Sequence, residues 1–115
     1  MNVKAAIFDM DGTLINSLIA WDIIWKSVGD FCGIENFRPK EEHDRLARTM
    51  LYRDAIEMIC REYNFQKDPE DVFAVAVDTL ENFYLTTVEC KDGVIEFLEY
   101  LKSNNVKMCI ATASY

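Results

Sequence analysis

Two aspartates separated by a single residue are the side chains of this sequence best suited to chemistry. They are Asp9 and Asp11, in the stretch IFDMDGTL at residues 7–14. Two carboxylates this close repel each other unless a cation or a proton relieves the repulsion. Carboxylate oxygens are ligands that Mg²⁺ accepts in proteins, usually together with phosphate oxygens and water. The pair is therefore a candidate site for Mg²⁺.

The same stretch has two other interpretations. One is an EF-hand calcium loop, but counting from Asp9 puts Gly12 at position 4 instead of 6, and Ala20 at position 12 instead of a glutamate. This spacing argues against calcium. The other is an ordinary turn, in which the aspartates are strand-end residues and Gly12 supplies a permissive backbone conformation.

The predicted strands favour a functional site over a plain turn. Val3–Phe8 is a nearly continuous apolar run, typical of a parallel strand covered on both faces, and Asp9 follows its carboxyl end. Open α/β sheets bind their ligands at the carboxyl ends of their strands. Val106–Ala111 is a second apolar run of the same type and predicts a second strand.

Helical spacing of apolar residues fills the sequence between these two strands. Leu18, Trp21, Trp25 and Val28 recur at this spacing, and Ser17 is predicted to cap the helix that they begin. Further helices are predicted at residues 41–48, 53–63 and 68–88, and from Val94 to the pair Asn104–Asn105. The order predicts an α/β fold, and if the two strands are neighbours in one sheet, the helical block between them is an insertion.

Composition limits the partners and the location of the protein. The 115 residues include 20 acidic and 12 basic side chains, for a net charge of -8. Such a charge repels a nucleic-acid backbone, so no nucleic-acid partner is expected. No apolar run reaches the roughly 18 residues that span a bilayer, and no signal peptide is evident. We therefore expect no membrane partner, a cytoplasmic location, and four cysteines that are reduced and mostly fill the core.

Residues at both strands resemble motifs of the haloacid dehalogenase-like (HAD) superfamily. DMDGTLINS at residues 9–17 resembles its first motif, D-x-D-G-T-L-h-D-S. VKMCIATAS at residues 106–114 is similar to the strand that leads into its second motif and ends in Thr or Ser. The resemblance implies a partial Rossmann-like core, residues 1–14 and 92–115, with an inserted α-helical cap, residues 15–91.

The resemblance also implies phosphoryl chemistry on a small phosphorylated metabolite. Asp9 would be the nucleophile that forms an aspartyl-phosphate, and Asp11 the general acid and base. Mg²⁺ would be held by the Asp9 carboxylate and the Asp11 main-chain carbonyl. Thr112 and the amide of Ala113 would bind the phosphate oxygens. A second aspartate two residues after the nucleophile favours a phosphatase or a phosphomutase over a dehalogenase.

The family's third motif, a lysine, and its fourth motif, one or two acids that complete the Mg²⁺ shell, would lie beyond Tyr115. The chain is therefore interpreted as the N-terminal part of a Mg²⁺-dependent phosphatase, inactive alone. Two alternatives stay open. One is a sugar phosphomutase similar to β-phosphoglucomutase, and the other is a catalytically silent fragment that self-associates through its incomplete core. The sequence does not distinguish between substrates or oligomeric states.

Overall fold

A computed structural model of the chain describes residues 2–113, and the contacts divide the chain into two compact units. One unit consists of Met1–Leu18 and Val88–Tyr115, and the other is Ile19–Thr87. Within the described residues, two strands and five helices follow one another along the chain. They are β1 (Ala5–Phe8), α1 (Ala20–Phe31), α2 (Glu41–Ala47), α3 (Tyr52–Glu62), α4 (Pro69–Thr86), α5 (Val94–Ser103) and β2 (Lys107–Ile110).

The first unit contains a parallel pair of strands and one helix. Strands β1 and β2 pair from Ala5 opposite Lys107 to Phe8 opposite Ile110. The amide of Ala111 donates to the carbonyl of Phe8 at 2.8 Å, so the pairing continues one step past both strands. The Phe8 and Phe97 rings meet edge to face, with centroids 6.4 Å apart, and this contact packs α5 on β1. The predicted α/β fold with helices inserted between two parallel strands is confirmed.

The predicted burial of the two strands on both faces is wrong for the described part of the chain. Ile7 is 73% exposed and Ile110 is 54% exposed. Each strand has only the other as a partner within residues 2–113, and α5 covers a limited area of the pair. An apolar run predicts a strand that is buried on both faces, because parallel sheets normally have helices on both faces.

The second unit is a bundle of four helices with an apolar interior. Helix α1 packs against α4, α4 against α3, and α3 against α2. The interior residues recur at helical spacing on each element, which is the reason these segments are helices at all. They include Ile24, Trp25 and Val28 on α1, Ile56 and Ile59 on α3, and Val72, Ala76, Leu80 and Phe83 on α4.

The helix boundaries confirm most of the predictions and correct one. The Asp68 side chain caps α4 by accepting from the amide of Glu70 at 2.9 Å, and Pro69 is the first helical residue, as predicted. Ser17, in contrast, does not cap α1, which begins at Ala20 without a side-chain cap. The Ser17 hydroxyl instead donates a hydrogen bond to the Asp11 side chain.

Cysteine burial also differs from expectation. All four thiols are free, but only Cys60 is buried, while Cys90 and Cys109 are exposed.

Among the residues described, no helix combines the length and the apolarity that a membrane-spanning helix needs.

Candidate active site at the carboxyl end of the sheet

A tight turn follows β1 and fixes the positions of both aspartates. The carbonyl of Met10 accepts from the amides of Thr13, Leu14 and Ile15, at 3.2, 2.9 and 3.3 Å. The amide of Gly12 donates back to the carbonyl of Ile15 at 3.1 Å. The chain therefore folds back on itself immediately after the strand.

Glycine is required at the centre of this turn for two reasons. The φ angle of Gly12 is 75°, in the left-handed region that L side chains rarely adopt. A Cβ at this position would also lie 3.1 Å from the side chain of Leu18. The D-x-D-G pattern thus has a backbone reason for its glycine that is independent of any chemistry.

Asp9 lies at the surface, directly after the end of β1. Its carboxylate is exposed, and its Oδ2 accepts a hydrogen bond from the Thr13 hydroxyl at 3.2 Å. Thr13 is four residues further on and is brought back to Asp9 by the turn. An exposed carboxylate with one oriented oxygen is well placed to meet a group that arrives from solvent.

Asp11 has different surroundings. It is half-buried, and its Oδ1 accepts a hydrogen bond from the Ser17 hydroxyl at 2.7 Å. Ser17 is itself only 5% exposed. The short hydrogen bond to a carboxylate is of the stronger, charge-assisted kind and fixes the direction of the Asp11 side chain. The two aspartates are thus neighbours in sequence with distinct environments.

Ser17 is a site residue that the sequence reasoning assigned to a different role. The signal was present, because the serine ends the nine-residue motif that begins at Asp9. A serine just before a helical apolar stripe is typical of an N-cap, and this local pattern obscured the contact with Asp11.

The segment after the turn is tied to the chain that precedes α5. The amide of Asn16 donates to the carbonyl of Glu89 at 2.8 Å, and the amide of Lys91 donates to the carbonyl of Leu14 at 2.9 Å. Ile15 also forms an isolated antiparallel bridge with Cys90. These bonds join residues far apart in sequence and hold the turn beside the two-stranded sheet.

Thr112 and Ala113, the predicted phosphate-binding residues, follow β2 by two and three residues and are exposed. Because β1 and β2 are parallel and Phe8 is opposite Ile110, both strands end at the same edge of the sheet. Asp9 and Thr112 therefore both follow the carboxyl end of the sheet. Ser114, the last residue of the second motif, lies outside the described residues.

The donor atoms at this edge fit a hard cation, although they form an incomplete set. Asp9 and Asp11 offer carboxylate and carbonyl oxygens, the ligand type that Mg²⁺ accepts. Within residues 2–113, no cluster of three His, Cys, Asp or Glu side chains could hold a metal ion. Mg²⁺ commonly keeps several water ligands and takes one or two carboxylates plus substrate phosphate, so two aspartates suit part of its shell.

The chain has an α/β fold, and its candidate site residues follow the carboxyl ends of two parallel strands, where such sheets bind their ligands. The family model for haloacid dehalogenase-like hydrolase matches residues 3–115 of the chain. The chain belongs to the haloacid dehalogenase-like hydrolase family. The motifs at Asp9 and before Thr112 had indicated the same family.

Solved structures agree with this assignment. A proposed beta-phosphoglucomutase from Thermotoga maritima superposes with a TM-score of 0.79 and 21% identity, covering 97% of this chain and 50% of that one. A HAD-superfamily hydrolase of subfamily IA, variant 1, from Geobacter sulfurreducens has a TM-score of 0.68 and 23% identity, covering 96% and 51%. A predicted phosphoglycolate phosphatase from Haemophilus somnus has a TM-score of 0.65 and 21% identity, covering 97% and 52%.

These likenesses describe the fold. The chain spans about half the length of each of these structures. None of the curated proteins with which the chain was compared matches it.

Proposed function

We propose that Asp9 and Asp11 are the catalytic carboxylates of a Mg²⁺-dependent phosphatase that acts on small phosphorylated metabolites. The observation that carries this proposal is the contrast between the two aspartates at one edge of the sheet. Asp9 is exposed and held by Thr13, whereas Asp11 is half-buried and held by the short hydrogen bond from Ser17. Two carboxylates in different environments can take different chemical roles.

Asp9 is the nucleophile in this proposal. Its free carboxylate oxygen attacks phosphorus, and the bond from phosphorus to the leaving oxygen breaks as the aspartyl-phosphate forms. Thr13 keeps Oδ2 in place, which leaves Oδ1 for the attack. Thr112 and the amide of Ala113, from the neighbouring strand end, bind the phosphoryl oxygens.

Asp11 moves the protons. In the first step it gives a proton to the leaving oxygen, and in the second it takes a proton from the water whose oxygen attacks the aspartyl-phosphate. The second step releases inorganic phosphate and restores the Asp9 carboxylate. The hydrogen bond from Ser17 fixes the direction of Asp11 during both transfers.

Mg²⁺ bound by the Asp9 carboxylate and the Asp11 main-chain carbonyl would supply charge neutralisation for the phosphoryl oxygens. Two protein ligands hold this ion weakly, so we propose that turnover needs more protein than these 115 residues. The exposed faces of β1 and β2, together with the half-length coverage of the matching structures, support this part of the proposal.

The partners follow from charge and exposed apolar surface. The net charge of -8 opposes nucleic-acid binding, and we propose a small phosphorylated metabolite as the substrate. Five large apolar side chains of the first unit are more than half exposed: Val3, Ile7, Ile95, Tyr100 and Ile110. Such a surface favours self-association of the isolated chain, which light scattering after size exclusion tests. A monomer at all concentrations would contradict this expectation.

The test of function is Mg²⁺-dependent hydrolysis of an aryl phosphate. It is measured for the 115-residue chain and for the longest polypeptide that its reading frame encodes, each beside Asp9→Asn. We expect background rates from the 115-residue chain, and hydrolysis by the longer polypeptide that Asp9→Asn abolishes. Hydrolysis that survives Asp9→Asn would overturn the proposal. Transfer of the phosphoryl group to a sugar hydroxyl instead of water would identify the phosphomutase alternative.

A further inference from the structure

A shallow cavity that is largely open to solvent lies at the junction of α3 and α4, within the second unit, Ile19–Thr87. Its volume is ≈ 350 Å³, which is within the range of small-molecule sites in proteins. Six residues line it: Glu57, Cys60, Arg61, Phe65, Lys67 and Pro69. None of them belongs to the carboxylate site described above, and we call this space the α3–α4 cavity.

Two cations of the cavity lack the carboxylate partners that other cations of this unit have. Of the eight Arg and Lys residues in Ile19–Thr87, five are paired with a carboxylate within 4.0 Å: Lys26, Arg38, Arg45, Arg48 and Arg53. Among the residues that the structure describes, Arg61, Lys67 and Lys40 have no such ion pair, and the first two line the cavity. In a chain with an excess of acids, two unpaired cations at one cavity are available to an anion from solution.

The wall of the cavity is held in place before any ligand arrives. The amide of Phe65 donates to the carbonyl of Cys60 at 3.0 Å, across Asn64 at a φ of 51°, which closes the end of α3. The Phe65 ring also packs edge to face on Phe37, with centroids 5.2 Å apart. Lys67 Nζ lies 5.0 Å from the centre of the Phe31 ring. An ordered wall reduces the entropy lost on binding.

We infer that the α3–α4 cavity binds a small aromatic anion. Arg61 and Lys67 would face its carboxylate or phosphate group, and Phe65 and Pro69 would contact its ring. Glu57 places a hydrogen-bond acceptor on the same wall, so a hydroxyl or amino group on the ring would add to recognition. This site is independent of the proposed phosphatase chemistry.

The test is titration of ¹⁵N-labelled 115-residue chain with 4-hydroxybenzoate, followed by amide chemical shifts at low ionic strength. This probe carries no phosphoryl group, so it does not report turnover at Asp9. We expect saturable shifts confined to the amides around residues 57–69. Added salt should weaken the binding, because exposed charge pairs are screened.

Two comparisons make the inference falsifiable. The double variant Arg61→Gln/Lys67→Gln should weaken binding at least about tenfold, because two charge-assisted hydrogen bonds are lost. The matched control Lys26→Gln/Arg45→Gln removes the same charge from the same unit and should leave the affinity unchanged. Equal affinity in the two double variants would overturn the inference, as would shifts without saturation.

A third measurement needs no variant. The neutral analogue 4-hydroxybenzamide has the same ring and the same hydroxyl group but no negative charge. We expect it to bind at least about tenfold more weakly than 4-hydroxybenzoate. Equal binding of the two compounds would show that the cations do not select the ligand, and would contradict the inference even if the double variant failed to fold.

Discussion

Replacement of Ser17 by alanine tests how the protein holds its second aspartate. The Ser17 hydroxyl donates to Asp11 Oδ1 at 2.7 Å, and Ser17 is only 5% exposed. Hydrogen bonds to charged groups contribute about 1.5–3 kcal/mol, and Asp11 is half-buried, so water can partly replace the lost donor. We therefore expect Ser17→Ala to destabilise the turn by about 1–2 kcal/mol.

Amide hydrogen exchange of residues 12–16 measures this change within the first unit, which contains the turn. A loss of about 1–2 kcal/mol corresponds to exchange that is roughly 5–30 times faster where the turn opens locally. Ser103→Ala is the matched control, because Ser103 is exposed and its hydroxyl donates to the carbonyl of Tyr100 and accepts from the side-chain amide of Asn104, both at the end of α5. Ser17→Thr keeps the hydroxyl and should retain most of the protection. Unchanged exchange in Ser17→Ala, or the same acceleration in Ser103→Ala, would refute the proposed role of this hydrogen bond.

Two other predictions concern the second unit. Gly29→Ala should destabilise this unit by about 1–3 kcal/mol, because a Cβ on Gly29 would overlap the side chain of Phe37 in a buried position. Urea unfolding followed by tryptophan fluorescence measures the loss of stability. Ser27→Ala on the same helix is the control and should change stability by less than about 0.5 kcal/mol. Burial, with smaller contributions from neighbouring groups, raises the pKa of Cys60 to about 11. At pH 8 only about 0.1% of this thiol is ionised, and the thiolate fraction grows about tenfold per pH unit until pH 11. Alkylation of native protein, quantified by peptide mass spectrometry, should therefore be much slower at Cys60 than at exposed Cys109 and should accelerate with pH; equal rates at the two thiols would contradict this.

The helices and the two strands were largely predictable, because local patterns determine them. Asp68 followed by Pro69 marks the start of α4 through a side-chain cap and a residue that needs no amide partner. The left-handed conformation of Asn105 ends α5 where the sequence placed a stop. The apolar runs predicted two strands of the type found in parallel sheets, and the backbone register shows that β1 and β2 pair with each other in parallel.

Contacts that local sequence patterns do not specify account for what the sequence did not reveal. The Ser17 hydroxyl bonds to Asp11 because the turn brings residues six apart together, whereas local spacing predicted a helix cap. The α3–α4 cavity depends on how the loop after α3 closes and on which cations form ion pairs with carboxylates. No sequence motif predicts either of these. The prediction that both strands are buried was wrong, because burial depends on neighbouring strands and helices, which an apolar run does not specify.

The central claim is that Asp9 accepts a phosphoryl group. The most direct measurement is mass spectrometry of the longest polypeptide that the reading frame encodes, quenched in acid during reaction with acetyl phosphate and Mg²⁺. We expect one phosphoryl group on the peptide that contains Asp9 and none in Asp9→Asn. Acetyl phosphate has a good leaving group that needs little acid catalysis, so Asp11→Asn should slow only the hydrolysis and increase the trapped fraction. A phosphoryl group at another residue, or one that persists in Asp9→Asn, would contradict the account.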